Sequence, residues 1–160
     1  NNASLAAFKG AKVYYDAQLS ILKHFNLSDK HVLDIGTGNG HLVRYMLDQG
    51  AGRITSVEID PTLYQRAKSV FDANQNVSIY QANIFDFLQQ KRSEYDIVVC
   101  FDVIEHLPQN EGITLASLIY ESYPQRDCAF FVQTIWQIFL SGRTHDIWIL
   151  RIRRDLPNLA

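Results

Sequence analysis

Cysteine, methionine and proline are scarce in this chain of 160 residues, which contains two, one and four of them. Two cysteines, Cys100 and Cys128, are too few for a disulfide framework, and both lie in or beside apolar runs. We therefore expect buried thiols in a reducing compartment. No apolar run approaches the ~20 residues of a membrane-spanning helix. Residues 1–12 show no basic segment followed by an apolar one, so the sequence predicts a cytoplasmic protein with no membrane partner.

An excess of charge of either sign is also missing. Lysine and arginine number 15 and aspartate and glutamate 17, which gives a formal net charge of −2. This balance argues against a strongly basic DNA-binding protein, and no DNA partner is expected. Apolar residues make up 47% and charged residues 20%, as in an ordinary globular protein. The length fits one domain, divided into an N-terminal helical segment (1–28), a core (30–134) and a short C-terminal portion (135–160).

Short apolar runs alternate with segments of helical periodicity along most of the chain. The runs predict strands over 31–35, 54–59, 77–81, 95–101 and 128–133, and the segments between them predict helices that include 61–71, 84–91 and 110–122. Helical spacing is also found within residues 3–25, and residues 145–154 alternate like a last strand. This order predicts an α/β fold with a mostly parallel central sheet and helices on both faces. Ligands of such sheets bind beyond the carboxyl ends of the strands.

A glycine-rich loop joins the first strand to its helix, in the sequence Asp34-Ile35-Gly36-Thr37-Gly38-Asn39-Gly40. Glycines at alternate positions permit a tight turn and close approach of a ligand to the backbone. The dinucleotide fingerprint G-x-G-x-x-G requires a third glycine at position 41, which is histidine here. A nicotinamide oxidoreductase is therefore disfavoured, whereas a structural turn without ligand, or another kind of nucleotide site, stays open.

A carboxylate closes the second predicted strand, in the sequence Val57-Glu58-Ile59-Asp60. Glu58 follows the start of the glycine loop by about 20 residues, the spacing at which an acid accepts ribose hydroxyls in dinucleotide folds. An ionised carboxylate has only acceptor oxygens and suits two hydroxyl donors. Asp60 precedes Pro61 and is interpreted as a helix N-cap.

Together, the glycine loop and the Val-Glu-Ile-Asp segment resemble the class I, Rossmann-like S-adenosylmethionine-dependent methyltransferases. The resemblance covers about residues 30–134 and implies a Rossmann-like fold, S-adenosyl-L-methionine as cofactor, and methyl transfer to an oxygen or nitrogen acceptor. It implies that the glycine loop holds the methionine part of the cofactor and that Asp34 helps to position the amino group. Glu58 would bind the ribose, and Ile59 would pack against the adenine.

The resemblance also assigns residues after the third and fourth strands. Asn83 stands where the family commonly has an aspartate that accepts from the adenine amino group, and Phe101 and Asp102 would flank the sulfonium. His106 is a candidate base, since an imidazole pKa near 6.5 suits acceptance of a proton from a hydroxyl or amine. The predicted cofactor-binding residues are Asp34, Gly36, Thr37, Gly38, Gly40, Glu58, Ile59, Asn83, Ile84 and Phe101, and the predicted catalytic residues are Asp102 and His106.

The acceptor is the least determined property, and a small molecule is the first expectation. Asp102, Glu105 and His106 are similar in spacing to a segment of RNA 2′-O-methyltransferases, which suggests a divalent metal and an RNA acceptor as an alternative. A non-catalytic module that binds the cofactor or a partner is another alternative. Only about 27 residues follow the fifth predicted strand, so the last strands of the fold are abbreviated, the chain is a fragment, or residues are missing within this region.

Overall fold

The computed structural model describes residues 16, 18–90, 95–121 and 129–133, with backbone only at 120, 121 and 129–133. Among these residues, no helix is long and apolar enough to cross a membrane. The predicted strand over 145–154, Cys128 and most of the predicted helical segment over 3–25 lie outside the described residues. The division into 1–28, 30–134 and 135–160 therefore stays a prediction, as does the cytoplasmic location.

Strands and helices alternate in the predicted order. The strands are β1 (His31–Ile35), β2 (Arg53–Glu58), β3 (Val77–Gln81), β4 (Ile97–Phe101) and β5 (Ala129–Gln133). The helices are α1 (His41–Asp48), α2 (Pro61–Phe71), α3 (Ile84–Gln90) and α4 (Gln109–Glu121), and a short 3₁₀ helix spans Ile104–His106. Residues 18–22 are helical as well. Predicted and observed bounds differ by at most two residues; for example, β2 ends at Glu58 rather than Ile59.

The described strands form one five-stranded sheet in the order β3-β2-β1-β4-β5. All neighbouring strands are parallel, and the register pairs Asp34 of β1 with Ser56 of β2 and with Val99 of β4. The predicted α/β, Rossmann-like fold is confirmed. Because the chain moves outward from β1 to β3 and then crosses back to β4, the order reverses beside β1, the point at which such sheets bind ligands.

Two apolar layers cover the two faces of the sheet. β4 is buried along its whole length, and its side chains alternate between the layers. On one face, Val99 packs with apolar residues of the 18–22 helix, α1 and the end of α2; on the other, Val98 packs with α3 and α4. Burial on both faces explains why the sequence of β4 is a continuous apolar run.

Candidate active site

A cavity of about 450 Å³ lies at the carboxyl ends of the strands, beside the point where the strand order reverses. Its volume is in the usual range for small-molecule sites. Its wall includes two of the three loop glycines, Gly36 and Gly38, together with residues that follow β2, β3 and β4. Predicted site residues on the wall are Gly36, Thr37, Gly38, Glu58, Ile59, Asn83, Ile84, Phe101, Asp102 and His106.

The glycine loop is fixed to β2 by its backbone. The Gly36 N–H donates to the carbonyl of Val57 at 2.9 Å, and the Gly40 N–H donates to the carbonyl of Thr37 at 2.9 Å. Gly36, Gly38 and Gly40 all have positive φ. A methyl group on Gly40 would meet the Phe71 ring at 2.6 Å, whereas one on Gly38 would have no atom within 4 Å. The loop is thus packed closely behind Gly40 and leaves open space in front of Gly38.

Glu58 is held in place by two backbone amides. Its Oε2 accepts from the Gly38 N–H at 2.8 Å, and its Oε1 accepts from the Asp60 N–H at 2.9 Å. The residue is only 6% exposed and lines the cavity. A carboxylate offers about four lone-pair positions, so each oxygen keeps the capacity to accept a further donor. The carboxylate that the sequence predicts as a ribose ligand is therefore preorganised at the cavity wall.

Asp34 is located behind the glycine loop and does not line the cavity. It is 1% exposed, and its Oδ2 accepts from the Ser56 hydroxyl at 2.5 Å. The Ser56 hydroxyl in turn contacts the Thr37 hydroxyl. Burial raises the pKa of the Asp34 carboxyl to about 6, since burial disfavours the charged form. Asp34 supports the loop from beneath, and its predicted contact with a cofactor amino group stays a prediction.

The wall beyond β3 combines one amide with apolar side chains. The Asn83 Oδ1 accepts from the Phe85 N–H at 2.9 Å, so this side chain caps α3. Ile59 lines the cavity although 66% of its surface is exposed. Ile84 also lines the cavity and is 9% exposed. The side chains of Ile59 and Ile84 make this part of the cavity wall apolar. The amide oxygen of Asn83 retains a second lone pair for a further donor.

Near the end of β4, three polar side chains each have a buried oxygen without a hydrogen-bond partner among the described residues. Gln18 Nε2 donates to Asp102 Oδ2 at 2.5 Å. Within the described part of the chain, Gln18 Oε1, Asp102 Oδ1 and Glu105 Oε2 are buried without a hydrogen-bond partner. Burial, and next the adjacent Glu105 carboxyl, raise the pKa of Asp102 to about 7. Asp102 also has a φ of 56°, which is uncommon for a residue with a side chain and is often found at functional sites.

His106 ends the 3₁₀ helix and is exposed at the edge of the cavity. An imidazole at this position is accessible to a substrate that enters from solvent. Over the ranges that the structure describes, no group of three His, Cys, Asp or Glu side chains is arranged to bind a metal ion. The arrangement of Asp102, Glu105 and His106 therefore adds no support to the metal alternative.

Sequence reasoning missed several residues of the cavity wall. They are Gln18, Asn39, His41, Leu42, Leu63, Phe85, Val103 and Leu107. Most of them are close in sequence to predicted site residues, and this proximity could have identified them as part of the wall. Gln18 had no such signal, because it reaches the site from the N-terminal helical segment, 84 positions before its partner Asp102.

Fold and site define a Rossmann-like domain with a cavity at the carboxyl ends of the strands. The sequence profile of the family described as "Methyltransferase domain" matches residues 32–122. The chain belongs to this family, and the resemblance to the class I S-adenosylmethionine-dependent methyltransferases is confirmed.

Among curated relatives, the chain is similar to enzymes named ubiquinone biosynthesis O-methyltransferase. It is 30% identical to the one from Aromatoleum aromaticum over 120 residues, which are 74% of this chain and 46% of the relative. It is 32% identical to the one from Coxiella burnetii over 121 residues, which are 76% of this chain and 47% of the relative. The chain thus spans about half the length of these relatives.

Solved structures share the fold at lower identity. An S-adenosylmethionine-dependent methyltransferase from Mesorhizobium loti superposes with a TM-score of 0.58 at 13% identity, over 74% of this chain and 53% of that one. PKMT2 from Rickettsia typhi, solved in complex with AdoHcy, gives a TM-score of 0.58 at 20% identity, over 67% of this chain and 21% of that one. These similarities support the fold of the described sheet and helices.

Proposed function

We propose that this chain binds S-adenosylmethionine and is the cofactor-binding part of a methyltransferase that acts on a hydroxyl group of a small molecule. Membership in the methyltransferase domain family supports the reaction class. The names of the curated relatives, O-methyltransferases of ubiquinone biosynthesis, support an oxygen acceptor on a small molecule.

The geometry of Glu58 carries the cofactor proposal. Its two oxygens are oriented by the Gly38 and Asp60 amides at 2.8 and 2.9 Å, and each can accept one hydroxyl of a ribose. The open space in front of Gly38 admits the ligand close to the backbone. A nucleoside with a free ribose diol fits this wall, and the apolar surfaces of Ile59 and Ile84 suit an adenine ring.

The chemistry that we propose needs little from the protein beyond positioning. When bound, S-adenosylmethionine supplies an electrophilic methyl group on a sulfonium, and displacement by the acceptor oxygen releases a neutral thioether. Phe101 and Asp102 border the region that we assign to the sulfonium. Holding acceptor and methyl in line supplies about 7–11 kcal/mol of the barrier reduction. His106, exposed at the cavity edge, is our candidate to accept the hydroxyl proton.

Calorimetric titration tests the cofactor. We expect S-adenosylmethionine and S-adenosylhomocysteine to bind and NAD not to bind. Glu58→Ala removes a charged acceptor and should weaken binding about 10- to 150-fold. Glu111→Ala, on the exposed side of α4, is the matched control and should bind like the unaltered chain. Absence of S-adenosylmethionine binding, or an unchanged affinity in Glu58→Ala, would contradict the proposal.

A transfer assay then tests the reaction. Purified chain is incubated with methyl-labelled S-adenosylmethionine and a panel of small hydroxyl compounds, with RNA as a competing acceptor class. We expect label on a small hydroxyl compound, and a kcat lowered by about 10²- to 10⁴-fold in His106→Gln. Cofactor binding with no transfer to any acceptor would leave a non-catalytic binding module as the better account.

A further inference from the structure

Asn83 is a polar side chain on a stretch of cavity wall that is otherwise apolar. Among the described cavity residues that follow β2 and β3, the others are all apolar, namely Ile59, Leu63, Ala82, Ile84 and Phe85. A ligand group placed against this stretch therefore meets one hydrogen-bonding side chain, an amide with both donors and an acceptor. Polar groups in a mostly apolar site fix the orientation of a ligand and determine which ligands fit.

Asn83 lies one strand away from Glu58. β3 pairs with β2 in parallel, with Gln81 opposite Glu58, and the Ala82 N–H donates to the Glu58 carbonyl at 3.1 Å. Neighbouring strands in a sheet are about 4.8 Å apart. A nucleoside whose ribose is held by the Glu58 carboxylate can thus place its base against the apolar stretch, with the polar edge of the base towards Asn83.

The amide of Asn83 is oriented by the helix that it caps. Its Oδ1 accepts from the Phe85 N–H at 2.9 Å at the start of α3. The same oxygen keeps one lone pair, and Nδ2 carries two N–H groups. Asn83 is exposed and lines the cavity, so these groups are accessible to a ligand. The side chain therefore presents an acceptor and a donor, both held in place by the capping hydrogen bond.

Purine bases differ in the hydrogen-bonding group at ring position 6. Adenine carries an amino group there, which is a donor, whereas 6-oxopurines such as guanine and hypoxanthine carry an oxygen, which is an acceptor. An amide accepts from the amino group through its oxygen and donates to the oxo group through its nitrogen. An ionised carboxylate has only acceptors, so it suits the amino group and leaves an oxo group facing another oxygen. An amide at this position thus has a partner for either kind of purine.

We propose that Asn83 makes the nucleoside site permissive at purine position 6, so that the chain binds the hypoxanthine form of the cofactor as well as the adenine form. The inference rests on the proposed function, since it takes the ligand of Glu58 to be the nucleoside part of S-adenosylmethionine. The apolar contacts of Ile59 and Ile84 do not oppose this tolerance, because the two bases have ring systems of the same size and shape.

Two ligands that differ only in the purine, S-adenosylhomocysteine and S-inosylhomocysteine, test this inference. In calorimetric titration, the unaltered chain should bind them with dissociation constants within about 10-fold of each other. Asn83→Asp keeps the capping oxygen and removes the donor, so it should retain S-adenosylhomocysteine binding and weaken S-inosylhomocysteine binding by a further factor of about 10 or more. Because aspartate and asparagine cap helices equally well, thermal unfolding of Asn83→Asp should match that of the unaltered chain.

Controls separate this inference from the proposed function. Asn74→Asp is the matched variant, because Asn74 Oδ1 accepts from the Asn76 N–H at 3.0 Å between α2 and β3, off the cavity wall, and it should bind both ligands like the unaltered chain. Glu58→Ala should weaken both ligands, because both carry the ribose. If the unaltered chain binds S-inosylhomocysteine more than about 10-fold more weakly than S-adenosylhomocysteine, or if Asn83→Asp changes that ratio by less than about 10-fold, the inference is overturned while the proposed function stands. If the unaltered chain binds neither ligand, the proposed function fails and the inference fails with it.

Discussion

Gly36 and Gly38 both have a positive φ but different surroundings. Their φ values are 85° and 54°, and side chains adopt such values at a cost of about 1–2 kcal/mol. A Cβ on Gly36 would lie 2.6 Å from Val103 Cγ2, whereas a Cβ on Gly38 would meet nothing within 4 Å. Val103 is β-branched and has little freedom to move away. Gly36 is therefore required for packing, and Gly38 for access to the cavity.

Alanine at these two positions should separate stability from binding. Gly36→Ala should lower the free energy of unfolding by about 1–3 kcal/mol more than Gly38→Ala, because only Gly36→Ala adds a steric clash. Gly38→Ala should fold but bind S-adenosylhomocysteine more weakly, since its methyl enters the open space. Urea denaturation and calorimetry on both variants measure this difference. Equal stabilities, or full ligand affinity in Gly38→Ala, would contradict this division of roles.

Single residues also show which parts of the site could be predicted from the sequence and which could not. Glu58 was predictable because its spacing from the glycine loop and its place at the end of β2 are both local properties of the sequence. Asp34 carried an equally strong motif signal, yet the parallel register with Ser56 turns it into a buried support. Gln18 carried no signal, because its role depends on contact with Asp102, 84 positions away.

Among the helices, α2 has the start that the sequence predicts most directly. Asp60 is the N-cap, and its Oδ1 accepts from the Thr62 and Leu63 amides at 2.8 and 2.9 Å. Pro61 takes the first helical position, where its lack of an N–H has no consequence. The side chain of Asp60 thus satisfies two amides that the helix itself leaves unpaired.

Asp60→Ala should lower the free energy of unfolding by about 1 kcal/mol. Asp60→Asn retains a capping oxygen and should stay close to the unaltered chain. Ligand affinity should change little in either variant, because Glu58 accepts from the backbone amide of residue 60 and not from its side chain. Thermal unfolding and titration of the two variants provide the measurement. A stability loss in Asp60→Asn as large as that in Asp60→Ala would argue against the capping role.

The bounds of the elements were predictable to within two residues, for reasons that differ between them. β4 is buried on both faces, so its apolar run alone marks it as a strand. β3 lies at one edge of the described sheet and is half-buried, and its short apolar run was enough to locate it. The strand predicted over 145–154 stays a prediction, because it lies outside the described residues.

For the molecule as a whole, the acid at the centre of the sheet links stability to pH. Burial raises the pKa of Asp34 from 3.8 to about 6. Between these values the folded chain binds a proton that the unfolded chain has released, so stability falls as pH rises through this window. The shift of about two units corresponds to at most about 3 kcal/mol. At neutral pH the ionisation of Asp34 therefore lowers the free energy of unfolding relative to the protonated form.

Comparison with Asp34→Asn tests this link. Asparagine can still accept from the Ser56 hydroxyl and carries no charge. The stability of the unaltered chain relative to Asp34→Asn should fall between pH 4 and 6 and stay level above about pH 7. Denaturant unfolding of both proteins from pH 4 to 8 measures the difference. A difference that does not depend on pH over this range would contradict the buried ionisation of Asp34.

The sequence by itself determined the alternation of strands and helices, the turn of the glycine loop and the acid that ends β2. Each of these depends on residues close together in the chain, so periodicity and spacing are sufficient to reveal them. Only the tertiary structure decided which acids face the cavity, because that depends on how β1 pairs with β2 and β4. Pairing buries Asp34 against Ser56, and packing of residues 18–22 brings Gln18 to Asp102.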